Sequence, residues 1–183
     1  GLEVSSHPFD AFGGTYRNVV ATLPASSRAD RQEGAPPLII AAHYDTAPGS
    51  PGADDNASGL AVILEVAHSL REVSLNREVR FIGFCLEEAN QLGSLAYAAH
   101  LKAANQEIAG AIVLECVGYA RPEEGSQQVP PGIPITVPSV GNFLAIIGNT
   151  TSAELTAVVE RAEKRHVPAV ALVVPGNGEL LPD

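Results

Sequence analysis

The segment PLIIAAHYDT, residues 37–46, joins a continuous apolar run to a histidine and an aspartate. An uninterrupted apolar run of this kind is typical of a strand buried on both faces of a sheet. Farther along the chain, apolar residues recur at helical spacing and predict an amphipathic helix over residues 58–71. A buried strand followed by a helix is the repeating unit of α/β proteins, so this segment decides the fold class.

The same alternation of strand and helix patterns extends in both directions from this segment. The first two predicted strands are joined through Gly13-Gly14 as an edge hairpin. These two strands are predicted over residues 2–9 and 16–23. Further strands are predicted over residues 78–86, 109–117, 142–147 and 169–174, and further helices over residues 92–99 and 152–165. The sequence therefore predicts an α/β protein, a three-layer sandwich whose mixed, mostly parallel sheet has helices on both faces. We expect residues 1–183 to belong to a single domain, because no interdomain linker interrupts the pattern.

Composition narrows the classes of function. Apolar residues make up 45% of the chain, which disfavours disorder. The 11 basic and 21 acidic residues give a net charge of −10, so nucleic acid is a poor partner and a cation is a plausible ligand. No apolar run reaches the ~20 residues of a membrane span, so no membrane partner is expected. Two cysteines are too few for a disulfide framework.

Groups that bind metals follow the ends of the predicted interior strands. They are His43 and Asp45, the Asp54-Asp55 pair, Glu87-Glu88 and Glu115. Ligand sites of open α/β sheets lie at the carboxyl ends of the strands, so we expect these groups to converge at one edge. Closely packed carboxylates repel one another unless a cation lies among them. One imidazole with several carboxylates suits zinc, and manganese or cobalt remain alternatives.

Each of these pieces has an ordinary structural interpretation when taken alone. A histidine after a strand, an exposed pair of glutamates and an aspartate-rich turn before a helix are all common. We interpret His7, His68, His100 and His166 as surface or packing residues. The proline-rich segment 119–140 is either the wall of a binding site or a surface loop.

Together the motifs resemble the co-catalytic zinc aminopeptidase family. The motifs that carry the resemblance are residues 43–46, the stretch GADDNASG at 52–59, Glu87-Glu88 and the stretch LECVGY at 114–119. The family includes the bacterial leucyl aminopeptidases and the glutamate carboxypeptidases and, more distantly, the glutaminyl cyclases. The resemblance covers nearly the whole chain and implies a zinc-exopeptidase fold.

The resemblance implies a role for each residue of the motifs. Asp54 would bridge two zinc ions, with His43 and Glu115 as further ligands of one ion and Glu88 of the other. Glu87 would act as the general base and Asp45 would orient the imidazole, so both are assigned to catalysis. The resemblance also implies a cis peptide bond before Asp55. Since neighbouring residues of a regular strand point to opposite faces, Glu87 and Glu88 require a sharp turn.

Two departures from the family pattern bear on activity. Glu115 stands where many members have aspartate, and the family's last histidine ligand would lie beyond Asp183. We therefore expect an incomplete catalytic domain that lacks its C-terminal part, binds metal poorly and is inactive. The family's last strand would also be missing from the interior of the sheet, so self-association of this chain through the open slot is expected.

The function expected from the resemblance is that of a zinc-dependent exopeptidase, most readily an aminopeptidase. It would hydrolyse N-terminal residues from a peptide substrate by attack of a metal-bound hydroxide, with Glu87 as the base. The alternatives are a carboxypeptidase, a glutaminyl-cyclase-like enzyme of the same fold, and a non-catalytic interaction module. The resemblance favours a secreted or periplasmic location, with a cytoplasmic one left open.

Overall fold

The computed structural model describes residues 2–26, 34–129 and 136–174. They group into two compact units that divide between Gly118 and Tyr119. The first unit contains a five-stranded sheet with two helices, and the second contains a strand–helix–strand motif. The assignment of residues 1–183 to one domain stays a prediction.

The sheet of the first unit is mixed. Its strands and helices are β1 (Glu3–Ala11), β2 (Gly14–Leu23), β3 (Leu38–His43), α1 (Ala57–Leu70), β4 (Val79–Phe84), α2 (Leu92–Ala103) and β5 (Gly110–Val113). The strand order is β1-β2-β4-β3-β5. The pairs β1–β2 and β2–β4 are antiparallel, whereas β3 is parallel to both β4 and β5. Parallel strands that run side by side bring the ends of β3, β4 and β5 to the same edge.

The hairpin of β1 and β2 has the predicted strands and a slightly different turn. Ala11 pairs with Gly14, so Phe12 and Gly13 form the two-residue loop. Both loop residues have positive φ, 50° at Phe12 and 75° at Gly13. Two positive φ values match the twist that antiparallel strands require, and they place the turn one residue before the predicted Gly13-Gly14.

The residues of β3 alternate between two apolar layers. Ile40 and Ala42 belong to a core cluster with residues of α1. Ile39 and Ala41 belong to a second cluster with Tyr97 and Leu101 of α2. Successive side chains of a strand point to opposite faces, so the two helices cover opposite faces of the sheet. This arrangement confirms the predicted three-layer α/β fold.

The strand β5 ends four residues before the predicted boundary. Its ladder is extended by one hydrogen bond, from the amide of Leu114 to the carbonyl of Ala41, at 2.8 Å. The carbonyl of Leu114 then accepts a hydrogen bond from the Asn56 side chain at 2.9 Å, and Cys116 adopts a positive φ of 47°. Because this segment leaves the sheet, Glu115 lies in a loop at the carboxyl edge.

The second unit is built from β6 (Leu144–Asn149), α3 (Ala153–Glu163) and β7 (Ala169–Val174). The two strands are parallel and form a separate two-stranded sheet. The described part of the proline-rich segment contains no helix or strand, as its lack of periodicity predicts. In the part of the chain that the structure describes, no helix combines the length and the apolar character needed to cross a membrane.

The start of α2 is locked to the end of β4 by a buried asparagine. Asn18 is fully buried, donates to the carbonyl of Gly93 at 2.8 Å and accepts from the amide of Cys85 at 3.0 Å. A Cβ at Gly93 would lie 2.5 Å from Asn18 Oδ1 and 2.9 Å from the Cys85 nitrogen. Only glycine fits this contact, which positions both ends of the loop 85–93 that carries Glu87 and Glu88.

We therefore expect Gly93→Ala to lower the free energy of unfolding by roughly 1–3 kcal/mol, the usual cost of overpacking a tight contact. Gly14→Ala is the control, because a Cβ there meets no atom closer than 3.8 Å. Urea unfolding monitored by circular dichroism measures both variants. Equal midpoints for Gly93→Ala and Gly14→Ala would show that the contact relaxes without cost.

Candidate metal centre

His43 is the last residue of β3 and its side chain is 2% exposed. Nδ1 lies 3.0 Å from the backbone carbonyl oxygen of Asp45. A carbonyl oxygen only accepts hydrogen bonds, so Nδ1 carries the hydrogen and donates it. This bond fixes the orientation of the ring and directs Nε2 toward the carboxylates at the edge of the sheet, as in the usual support of a metal-binding histidine.

Two carboxylates lie against Nε2 of His43. Asp55 Oδ1 is 2.9 Å away and Glu115 Oε1 is 3.3 Å away. One ligand atom from each of the three residues lies within 4.8 Å of the other two. Ligands ~2.0–2.2 Å from a tetrahedral zinc ion are separated by ~3.3 Å, so this donor set fits one zinc ion with little adjustment.

Asp55, and not Asp54, occupies the position next to the imidazole. The prediction from the sequence gave this place to Asp54, but Asp54 Oδ1 accepts a hydrogen bond from the amide of Gly118 at 2.7 Å. The cis peptide bond joins Asp55 to Asn56, one residue later than the resemblance implies. Both differences correspond to a shift of one residue within the stretch at 52–59. Two adjacent aspartates are chemically identical in the sequence, so no signal there separates them.

The carboxylate of Asp45 fixes the turn that carries the two glutamates. Its Oδ1 accepts from the amide of Glu87 at 3.0 Å and its Oδ2 accepts from the amide of Glu88 at 3.2 Å. Leu86, just before this turn, has a positive φ of 58°. The sharp turn expected after β4 is therefore present. Asp45 contacts the ring of His43 mainly through its backbone carbonyl, since its Oδ1 is 3.6 Å from Nδ1.

The two glutamates lie at different places relative to the three-residue cluster. Glu87 Oε2 is 4.0 Å from His43 Nε2, but Glu87 is not one of the three described residues that form the cluster. Glu88 is not among the three residues whose ligand atoms converge in the described part of the chain. Its assignment as a ligand of a second metal ion stays a prediction, as does the full ligand set.

The electrostatics of the cluster favour a cation. Burial by itself would lower the pKa of His43, but Glu115, Glu87 and Asp45 together raise this pKa above its ordinary value. Burial raises the pKa of Glu87, and Glu115, Glu88 and Asp45 raise it further, against the opposing effect of His43. The raised pKa of His43 reflects the negative charge of the surrounding carboxylates, which a divalent ion would neutralise.

Sequence reasoning missed a structural role of Asn56 at this site. The side chain is 1% exposed and its Oδ1 accepts from the amide of Gly59 at 3.1 Å, so Asn56 caps the N-terminus of α1. Its Nδ2 also donates to Glu115 Oε2 at 3.1 Å and to the carbonyl of Leu114. Asn56 thus connects the start of α1 to the carboxylate of Glu115. Its position next to the aspartate pair was the available signal.

The two cysteines differ in their surroundings. Cys85 is buried, whereas Cys116 is exposed and its Sγ lies 3.3 Å from Glu115 Oε1. Partial desolvation of the thiol and its hydrogen bond to Glu115 raise the pKa of Cys116 to about 12. In the absence of a bound metal ion, a thiol with so high a pKa stays protonated at neutral pH. Both cysteines are free, so they form no disulfide.

We expect Asp45→Asn to loosen the turn at Glu87 and Glu88. The backbone N–H groups of these two residues each donate to one oxygen of the Asp45 carboxylate, whereas the asparagine side chain has only one oxygen that can accept. Asp10→Asn is the matched control, since Asp10 is exposed and its Oδ1 accepts from the hydroxyl of Thr15 at 2.7 Å. Amide hydrogen exchange measured by NMR should become faster at residue 87 or 88 in Asp45→Asn alone. Unchanged protection at both amides would contradict this role of Asp45.

The chain is similar to known proteins in both sequence and fold. Aminopeptidase YwaD of Bacillus subtilis (strain 168) is 52% identical over 64 residues, which cover 35% of this chain and 14% of that protein. The crystal structure of the LapA aminopeptidase of Legionella pneumophila superposes with a TM-score of 0.67 at 20% identity, covering 92% of this chain and 41% of that chain. This likeness supports the fold.

The uncharacterized protein YfbL of Escherichia coli (strain K12) is 33% identical over 177 residues, which cover 88% of this chain and 51% of that protein. The chain thus spans about half the length of YfbL and a smaller share of the other two proteins. The model of peptidase family M28 matches residues 18–175. A match over most of the chain, on a fold whose sheet edge gathers His43, Asp55 and Glu115, shows that the chain belongs to peptidase family M28.

Proposed function

We propose that this chain forms part of the catalytic domain of a zinc-dependent aminopeptidase. The observation that carries the proposal is the convergence of His43, Asp55 and Glu115, with the carboxylate of Glu87 4.0 Å from His43 Nε2. Relatives named as aminopeptidases and as zinc metalloproteases support the choice of reaction and metal. Peptides are the corresponding substrates.

Zinc bound by these three residues would supply a Lewis acid for the scissile carbonyl and a water molecule of lowered pKa. Glu87 is the candidate for moving the proton. Its carboxylate stands beside the cluster without entering it, and its raised pKa brings it nearer to neutrality. A carboxylate so placed can take a proton from the attacking water and deliver it to the leaving amine.

The choice of an aminopeptidase over the alternative carboxypeptidase is supported by the relatives, several of which are named aminopeptidases.

A second zinc ion is part of the proposal: Glu88 would be among the residues that hold it, and Asp55 would be shared between the two ions in place of Asp54. A bridging carboxylate holds two ions ~3.5–4 Å apart in enzymes of this kind. Three expectations stay predictions. They are the secreted or periplasmic location, the self-association of the chain and the low activity of these 183 residues.

Glu87→Gln in the full-length protein should lower kcat by ~10²–10⁴-fold and leave zinc binding intact, because the amide keeps the shape but cannot accept a proton. The control is Glu107→Gln, an exposed glutamate outside the motifs, in the loop that precedes β5. Hydrolysis of leucyl-nitroanilide and zinc content by atomic absorption give the two readouts.

His43→Ala supplies the complementary variant, since it should lose both zinc and activity. Zinc loss in Glu87→Gln would instead identify Glu87 as a ligand.

An unmodified peptide should be cleaved and its N-acetylated form should not. Cleavage of both from the C-terminus would overturn the aminopeptidase assignment.

A further inference from the structure

Hydrogen bonds join the loop after β5 to the first turn of α1 and the loop before it. None of these bonds uses the ligand atoms that converge at His43. Asp54 Oδ1 accepts from the amide of Gly118 at 2.7 Å. Ser58 Oγ donates to the backbone carbonyl of Asp54 at 2.6 Å and accepts from the amide of Val117 at 3.1 Å. Two successive amides after Glu115 are therefore held by the stretch that contains Asp55.

The contact between the two loops is too close for any residue but glycine at position 118. A Cβ there would lie 2.8 Å from Ser58 Cβ and 3.1 Å from Asp54 Oδ1. Gly118 has no positive φ, so close approach is the reason for glycine at this place. The glycine thus lets its own amide reach the carboxylate of Asp54.

The segment 114–118 is consequently held on both sides of Glu115. Asn56 binds it before and at Glu115, through the carbonyl of Leu114 and the carboxylate oxygen Oε2. Asp54 and Ser58 bind it after Glu115, at residues 117 and 118. The separation of the Asp55 and Glu115 carboxylates, which repel each other, is set by this arrangement.

We propose that Asp54 is a positioning residue, which holds the amide of Gly118 so that Glu115 and Asp55 face the same metal site. This inference rests on the proposed zinc-dependent function. Asp54 acts through Glu115 and does not touch the metal. Its side chain is used as a hydrogen-bond acceptor, in contrast to that of Asp55, whose Oδ1 faces His43 Nε2.

A pair of substitutions separates this role from that of a ligand. Asp54→Ala and Asp54→Asn both remove the negative charge, but only the asparagine keeps an oxygen that can accept from Gly118. We expect Asp54→Ala to bind zinc ~10–100-fold more weakly, the usual effect of removing a group that supports a ligand. Asp54→Asn should bind severalfold more tightly than Asp54→Ala, whereas Asp55→Asn should lose the site.

Zinc affinity of the full-length protein is measured by competition with a chromophoric chelator, and kcat and KM are measured alongside. Hydrogen exchange gives a readout that depends on neither metal nor activity. The amide of Gly118 should exchange faster in Asp54→Ala than in Asp54→Asn, and Ser58→Ala should expose the amide of Val117. Thermal unfolding monitors whether each variant is folded.

Equal zinc affinity in Asp54→Ala and the parent would overturn the inference. Equal and complete loss of zinc in Asp54→Ala and Asp54→Asn would also overturn it and would identify Asp54 as a ligand. A parent protein that binds zinc but cleaves no peptide would refute the proposed function, while the difference between the two Asp54 variants would still decide the inference. A parent that binds no zinc would refute both.

Discussion

The repulsion among carboxylates at one edge of the sheet is the constraint on which this site depends. Asp55 and Glu115 lie 2.9 Å and 3.3 Å from the same imidazole nitrogen, and Glu87 lies 4.0 Å from it. Anions this close to one another are stable only with a cation or with hydrogen-bond donors around them. The raised pKa of His43 is the direct consequence of this crowding.

Neutral hydrogen-bond donors hold Glu115 and the neighbouring carboxylates of Asp45 and Asp54 in place in the described structure. The Asn56 side chain binds Glu115, while backbone amides bind Asp45 and Asp54. Neutral donors serve this purpose better than lysine or arginine, because an additional positive charge would compete with a metal ion for the same carboxylates. The loops at the strand ends are therefore held by backbone amides and by the neutral side chain of Asn56.

The layered fold supplies the rigidity that this arrangement requires. The β3 strand lies inside the sheet of the first unit and is paired on both sides, so the backbone of His43 is held in a fixed position. The β4 strand delivers Glu87 through a loop whose ends are held by Asn18. Sites of this kind depend on positions fixed within a fraction of an ångström, which paired strands provide more readily than free loops.

The sequence by itself determined the layered α/β fold, because apolar runs and helical spacing report directly which faces are buried. It also determined His43, Glu87 and Glu115 as neighbours, since they follow strands whose parallel ends must meet at one edge. The choice between Asp54 and Asp55 was decided only by the tertiary structure. Both have the same chemistry in the sequence, and the amide of Gly118, which lies 64 residues away in the chain, binds one and leaves the other for the imidazole.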